Sequence, residues 1–239
     1  MTMNDNIGML LAARAGAYRI FQNLLGNEPS ADMLEQLACP DSREVLGLLA
    51  VEGEEYRLVL DRLISETEHI LAGSDDPIPR LKDAFTRLFV GPGKVEANPW
   101  ESMYTTSDTV LFQKVTLEVR KAYVASGFIP QAYPHVADDH IALELDFMAR
   151  LAERLSAAYE SGDAGSASSA FKASRDFLCT HLLAFVEGFA AAVDGAKHGY
   201  WYRWAALALA AFLEVDAQAL EELQAHLMKE EQCACSPVC

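Results

Sequence analysis

The sequence predicts an all-α fold, a single globular bundle of about nine or ten helices. Three observations carry that expectation. Apolar residues recur three and four positions apart along nearly the whole chain, no run of strict alternation is bounded by hairpin chemistry, and no Pro- or Gly-rich stretch is long enough to join two domains. No internal repeat of fixed period is evident either. Residues 1–231 therefore read as one helical domain, followed by a Cys-rich tail at 232–239.

The first helix carries Ile7, Leu11, Tyr18, Phe21 and Leu25 and stops at "GNEP", where the proline cannot continue it. Short helices follow from Ser30 and from Asp41, where Asp41 with Glu44 fits a capping box in which aspartate does the serine's job. A longer helix runs through Tyr56, Leu60, Leu63, Thr67 and Ile70 until "GSDDPIP" breaks it. Residues 80–90 form another, ended by the loop "GPGKVEANPWESMY". Ser107 caps the next helix, which stops at Gly127, and the proline-bearing "FIPQAYPHVA" leads into a helix at 137–151 with an acidic start. "GDAGSASS" at 162–169 reads as a flexible break. Beyond it one helix passes through Phe171, Leu178, Leu182, Phe185 and Phe189, and a last one spans about 199–213. That last helix is apolar on almost every side, the pattern of a helix central to a core.

Charge narrows the function classes. A formal charge of −16 disfavours a nucleic-acid or anionic-membrane surface, since either needs a concentrated basic face and none is present in the sequence. The acidity serves either solubility or a cationic partner. The longest apolar stretch, "AALALAAFL" at 205–213, is far shorter than a membrane span, which argues against membrane insertion. The N-terminal sequence lacks a basic region followed by an apolar run and a small-residue cleavage site, so a cytoplasmic location is expected. Five cysteines without an export signal argue for reduced thiols.

Most catalytic motifs are missing. "GPGK" at 91–94 lacks Walker spacing, Glu66 and His69 give one Glu-x-x-His pair where a di-iron bundle needs two, and neither His-Glu-x-x-His nor a nucleophile elbow occurs. A helical metal-dependent phosphohydrolase would want His-Asp, whereas this chain has Asp139-His140; hydrolysis is the alternative reading. At the C-terminus Cys233, Cys235 and Cys239 are close enough to offer three thiolates to zinc or an Fe–S centre, with a fourth ligand needed from Cys39, Cys179, His226 or another molecule. The tail is thus a reduced segment without ligand, a metal carrier or a redox pair.

The informative stretch is "ADDHIALELDFMARL", residues 137–151. At 100° per residue, Ile141, Leu145, Met148 and Leu155 share a narrow arc widened by Phe147 and Leu151, with Asp146, Arg150 and Glu153 opposite. His140 and Glu144 project inside the apolar arc. Partly desolvated polar groups need partners, so the pair either bonds within the fold and locks two helices together or meets a ligand.

These residues resemble a known signature. Asp139-His140-Ile141, Glu144-Leu145 and Phe147-Met148 are similar to the motif of the TorD/DmsD family of redox-enzyme maturation chaperones. Other pieces follow in the family's order: "LFVGP" at 88–92, Glu96-x-x-Pro99-Trp100-x-Ser102-x-Tyr104, "YVASGF" before the Asp-His, then His181 and "GYWYRWAALALAAFL". The chain departs from the family at Asp138, where proline is common, at Ala184-Phe185 in place of Pro-Trp, and in its Cys tail. The resemblance implies a TorD-like fold and a cytosolic, non-catalytic chaperone that requires no cofactor. Such a chaperone binds the twin-arginine signal peptide and apoprotein of a molybdenum-containing oxidoreductase, assists cofactor insertion and delays export. On that reading Asp139 and Glu144 face the guanidinium groups. Phe85, Leu88, Phe89, Trp100 and Tyr104 take the apolar segment, while Ser102 and His140 orient the loop-to-helix junction. The family's tendency to swap domains implies a monomer or a dimer exchanged through the loop at 127–138.

Overall fold

The computed structural model describes residues 3–50, 53–105, 114–130 and 136–234. Among them the order is α1 (Met3–Gly26), α2 (Ala31–Ala38), α3 (Pro40–Leu49), α4 (Glu54–Ala72), α5 (Ile78–Phe85), α6 (Ser102–Thr105), α7 (Lys114–Ala125), α8 (Ile141–Ser161), α9 (Ala164–Phe177), α10 (Leu183–Gly195) and α11 (Tyr202–Ala234). Thr86–Val90 extends α5 as a π turn, and Leu178–Leu182 joins α9 to α10 as another. α9 and α10 are therefore one unbroken rod, as the spacing from Phe171 to Phe189 predicts. No strand occurs among the described residues; a lone bridge pairs Trp100 with His140.

α1 packs along α8 and α3, while α11 packs against α10 and α4. Close approach of α1 to α8 depends on Gly26, because a Cβ there would stand 2.7 Å from that of Ala142. Phe212 of α11 lies at the centre, with Tyr18, Phe21 and Tyr56 rings at 5.0, 5.3 and 6.0 Å. Burying a ring of this kind contributes roughly 1.5–3 kcal/mol. Through this apolar layer runs one ionic tie. Arg14 of α1 grips Asp216 of α11 through both carboxylate oxygens, and the Tyr18 hydroxyl donates to Asp216 at 2.6 Å. All three side chains are buried.

Several expected boundaries change. Asp41 does not cap α3: Cys39 is the N-cap, its Sγ accepting from Ser42 N at 3.4 Å, and Pro40 takes the first helical position, where a missing N–H costs nothing. "GDAGSASS" is no flexible break. Gly162, at φ 71°, ends α8 in the left-handed conformation, and Asp163 caps α9 by accepting from Ser166 N at 3.0 Å. α11 continues past 213 because Asp216, Leu220 and Leu223 keep one face buried. α8 starts at Ile141 with His140 as its cap, so Asp138 and Asp139 precede the helix. The Ser107 cap and residues 131–135 of the loop expected to exchange between copies lie outside the described residues. Among the described residues one stretch, Ala164–Gly195, is long and apolar enough to cross a membrane by length and composition, and half of its apolar window is buried in the bundle.

Candidate functional site

The signature residues converge where a short strap, Pro99–Ser102, crosses the start of α8. Two backbone bonds seat it: Ile141 N donates to Pro99 O at 2.8 Å and Glu101 N to Asp139 O at 2.9 Å. His140 caps α8 with its ring, Nδ1 accepting from Ala142 N at 3.1 Å, and the ring stands edge-on to Trp100 with centroids 5.5 Å apart. Burial holds the His140 imidazole down to about 4, and the nearby Asp139 charge offsets this only in part. A neutral Nδ1 is what the cap requires.

The strap and the head of α8 bring together a cluster of acids. Asp139 Oδ2 accepts from Ser102 N at 3.1 Å and its Oδ1 accepts from the Thr116 hydroxyl at 2.9 Å, tying α6 and α7 to the head of α8. Asp138 accepts from Arg120 Nε at 2.6 Å, and its carbonyl accepts from the Tyr123 hydroxyl at 2.9 Å. Glu101 accepts from His181 Nδ1 at 3.0 Å, which fixes the strap to the π turn between α9 and α10. Glu144 faces Glu101. Glu101, Asp138, Asp139 and Glu144 are all nearly inaccessible, at 2%, 1%, 0% and 0% exposure. Burial, and then the neighbouring Glu101 charge, push the Glu144 carboxyl well above the usual carboxylate range.

The structure places most of the expected peptide-facing residues inward. Asp139, Glu144 and Ser102 form no outer wall; they are sealed, and Asp139 spends both oxygens on internal donors. Phe85, Leu88 and Phe89 are core residues. Phe85 and Phe89 pack on each other at 5.5 Å, and Phe89 packs on Tyr202 at 5.5 Å and Phe189 at 5.9 Å, because the apolar side of α5 faces α10 and α11. Trp100, Tyr104 and His140 remain half-buried and are what the expected set presents outward. Tyr104 lies against Phe185 and donates its hydroxyl to Asn98 O at 2.8 Å. A cavity of about 560 Å³ opens elsewhere, between α8, α9, α1 and α11, and none of the signature residues lines it.

Sequence reasoning missed Glu101, Thr116 and Arg120, and met Tyr123 only as the first residue of "YVASGF". Glu101 sits in a loop, where helical periodicity says nothing about direction, and Thr116 and Tyr123 show only as inward positions of α7. His181 stood out only through the resemblance. The side chain of Cys233 and all of Cys235 and Cys239 lie outside the described residues. Among the described residues no group of three or more His, Cys, Asp or Glu side chains is placed to hold a metal ion.

The model of the nitrate reductase delta subunit family matches residues 53–191, more than half of the chain. Similar proteins include the chaperone protein TorD of Vibrio cholerae El Tor Inaba N16961, 28% identical over 221 residues, covering 92% of this chain and 98% of that protein. TorD of Vibrio parahaemolyticus is 27% identical over 207 residues, 87% of this chain and 94% of that protein. TorD of Aliivibrio fischeri is 31% identical over 138 residues, 58% of this chain and 63% of that protein.

Proposed function

The chain belongs to the nitrate reductase delta subunit family, which includes the TorD chaperones, and from that premise we propose that it binds the twin-arginine signal peptide and apoprotein of a molybdenum-containing oxidoreductase. It is a chaperone rather than an enzyme. In the proposed cycle it holds the client in the cytoplasm until the cofactor is inserted, and then releases it for export.

One observation carries the peptide reading: Asp138, Asp139 and Glu144 at the head of α8 lie buried together with Glu101 of the four-residue strap that crosses it. Interiors exclude acids because each ionised carboxylate loses water that hydrogen bonds must replace. A cluster of this kind is costly for a fold that needs only packing, and it suits a site kept for a partner. The partner chemistry follows from the cluster: a guanidinium pair offers planar, paired N–H donors that match carboxylates better than the point charge of lysine. Displacing the strap exchanges the internal partners of Asp139 and Glu101 for those donors. Trp100, Tyr104 and His140, at the outer edge, then meet the apolar part of the peptide.

The test is capture from cells that make a molybdoenzyme, with the bound proteins identified by mass spectrometry. The precursor subunit should co-purify with this chain and be lost when its signal sequence is deleted. Capture that is indifferent to the signal sequence removes the peptide from the account.

A further inference from the structure

Glu144 presents a proton problem that the fold itself does not resolve. Its two carboxyl oxygens are sealed from solvent and receive no hydrogen bond from any described N–H or hydroxyl. Four donors of the cluster are committed elsewhere: the Thr116 hydroxyl to Asp139, the Tyr123 hydroxyl to the Asp138 carbonyl, Arg120 to the Asp138 carboxylate, and His181 Nδ1 to Glu101. The charged groups acting on Glu144 are Glu101 from the strap and Asp139 from the turn before α8, and both are acids; from α7 it is met by the phenol of Tyr123. Two carboxyl groups face to face without a cation between them are stable only with a proton between them.

We propose that Glu144 is held as a neutral carboxylic acid donating its proton to Glu101, and that this proton is released to solvent when the cluster opens to a cationic peptide. The second half rests on the peptide reading above; the first does not. The event balances simply. The O–H bond of Glu144 breaks heterolytically, water takes the proton, and the carboxylate left behind receives guanidinium N–H donors in place of Glu101. In the closed state the acid proton bridges α8 to the strap, while Glu101 also takes the His181 N–H, so strap, α8 and the π turn share one linkage. Burial that favours the neutral acid acts in the same direction as the geometry.

Two measurements on the full chain test the two halves. Infrared spectroscopy of the free protein near neutral pH should show the carbonyl stretch of a neutral carboxylic acid, absent in Glu144→Gln. It should also be absent in Glu101→Gln, whose amide can donate to an ionised Glu144. A spectrum without that band, or a band that survives both replacements, overturns the resident proton. Calorimetric titration with a synthetic twin-arginine peptide, in two buffers of different protonation enthalpy, should report release of about one proton per peptide bound. The binding enthalpy that Glu144→Gln retains should be the same in both buffers. Peptide binding by the wild type without buffer dependence overturns the release step. No binding at all overturns the peptide reading and the release step together, and the infrared band then decides the resident proton by itself.

Discussion

Replacing Asp139 with alanine should uncouple the strap from the bundle. The carboxylate is 0% exposed and accepts from Ser102 N at 3.1 Å and from the Thr116 hydroxyl at 2.9 Å. Hydrogen bonds to an ionised acceptor contribute about 1.5–3 kcal/mol each, and each donor stranded by the substitution costs a further desolvation term of about 1–3 kcal/mol. Two effects reduce the sum. Removing one acid relieves its repulsion of the single charge on the Glu101–Glu144 pair, and water entering the vacated space can satisfy a stranded donor. Those terms are upper bounds; with both offsets, and because single substitutions rarely exceed about 4–5 kcal/mol, the expected net loss is roughly 2–4 kcal/mol. Urea unfolding followed by far-ultraviolet circular dichroism measures it as a lower midpoint at unchanged slope. Thr116→Val removes one of the two donors, so its effect should couple with that of Asp139→Ala by roughly 0.5 kcal/mol or more in a double-mutant cycle. A loss below about 1 kcal/mol for Asp139→Ala, or strict additivity with Thr116→Val, refutes the claim that Asp139 pins α6 and α7 to α8.

Two other groups give sharp expectations. Asp216→Asn leaves the buried Arg14 guanidinium without its counter-charge, so it should cost about 3–5 kcal/mol in the same unfolding assay, whereas Arg14→Met combined with Asp216→Leu should cost much less; equal losses contradict the ionic tie. His140 is held down from 6.5 to about 4, so its contribution to stability is complete above pH 6.5 and is lost as the pH falls through that range toward 4. His140→Asn keeps a capping side chain without a titrating ring, and unfolding midpoints of the two proteins should converge as the pH is lowered over that window. A constant difference across it contradicts the assignment.

Helical spacing made most of the fold legible. Ile7 to Leu25 in α1, Tyr56 to Ile70 in α4 and the run across the π turn to Phe189 each face the core as their spacing indicates. Boundaries were harder where an unusual group does the work. A thiol caps α3 at Cys39, and the pairing of Gly162 with Asp163 turns what reads as a linker into a tight corner. The wheel over 137–151 rightly turned Glu144 inward. It could not say what Glu144 meets, because Glu101 lies in a loop and His181 lies beyond it in sequence, so that contact is created only by tertiary packing. The same limit explains Phe85 and Phe89: an aromatic at helical spacing reads alike whether it lines a groove or a core, and here it meets Tyr202 and Phe189.

The most direct test is isothermal titration of the purified chain with a signal peptide carrying Arg-Arg and with its Lys-Lys counterpart. Recognition by the acid cluster predicts saturable binding of the arginine peptide and at least about tenfold weaker binding of the lysine peptide, a difference of about 1.4 kcal/mol. Equal affinities for the two, or heat from neither, contradict it.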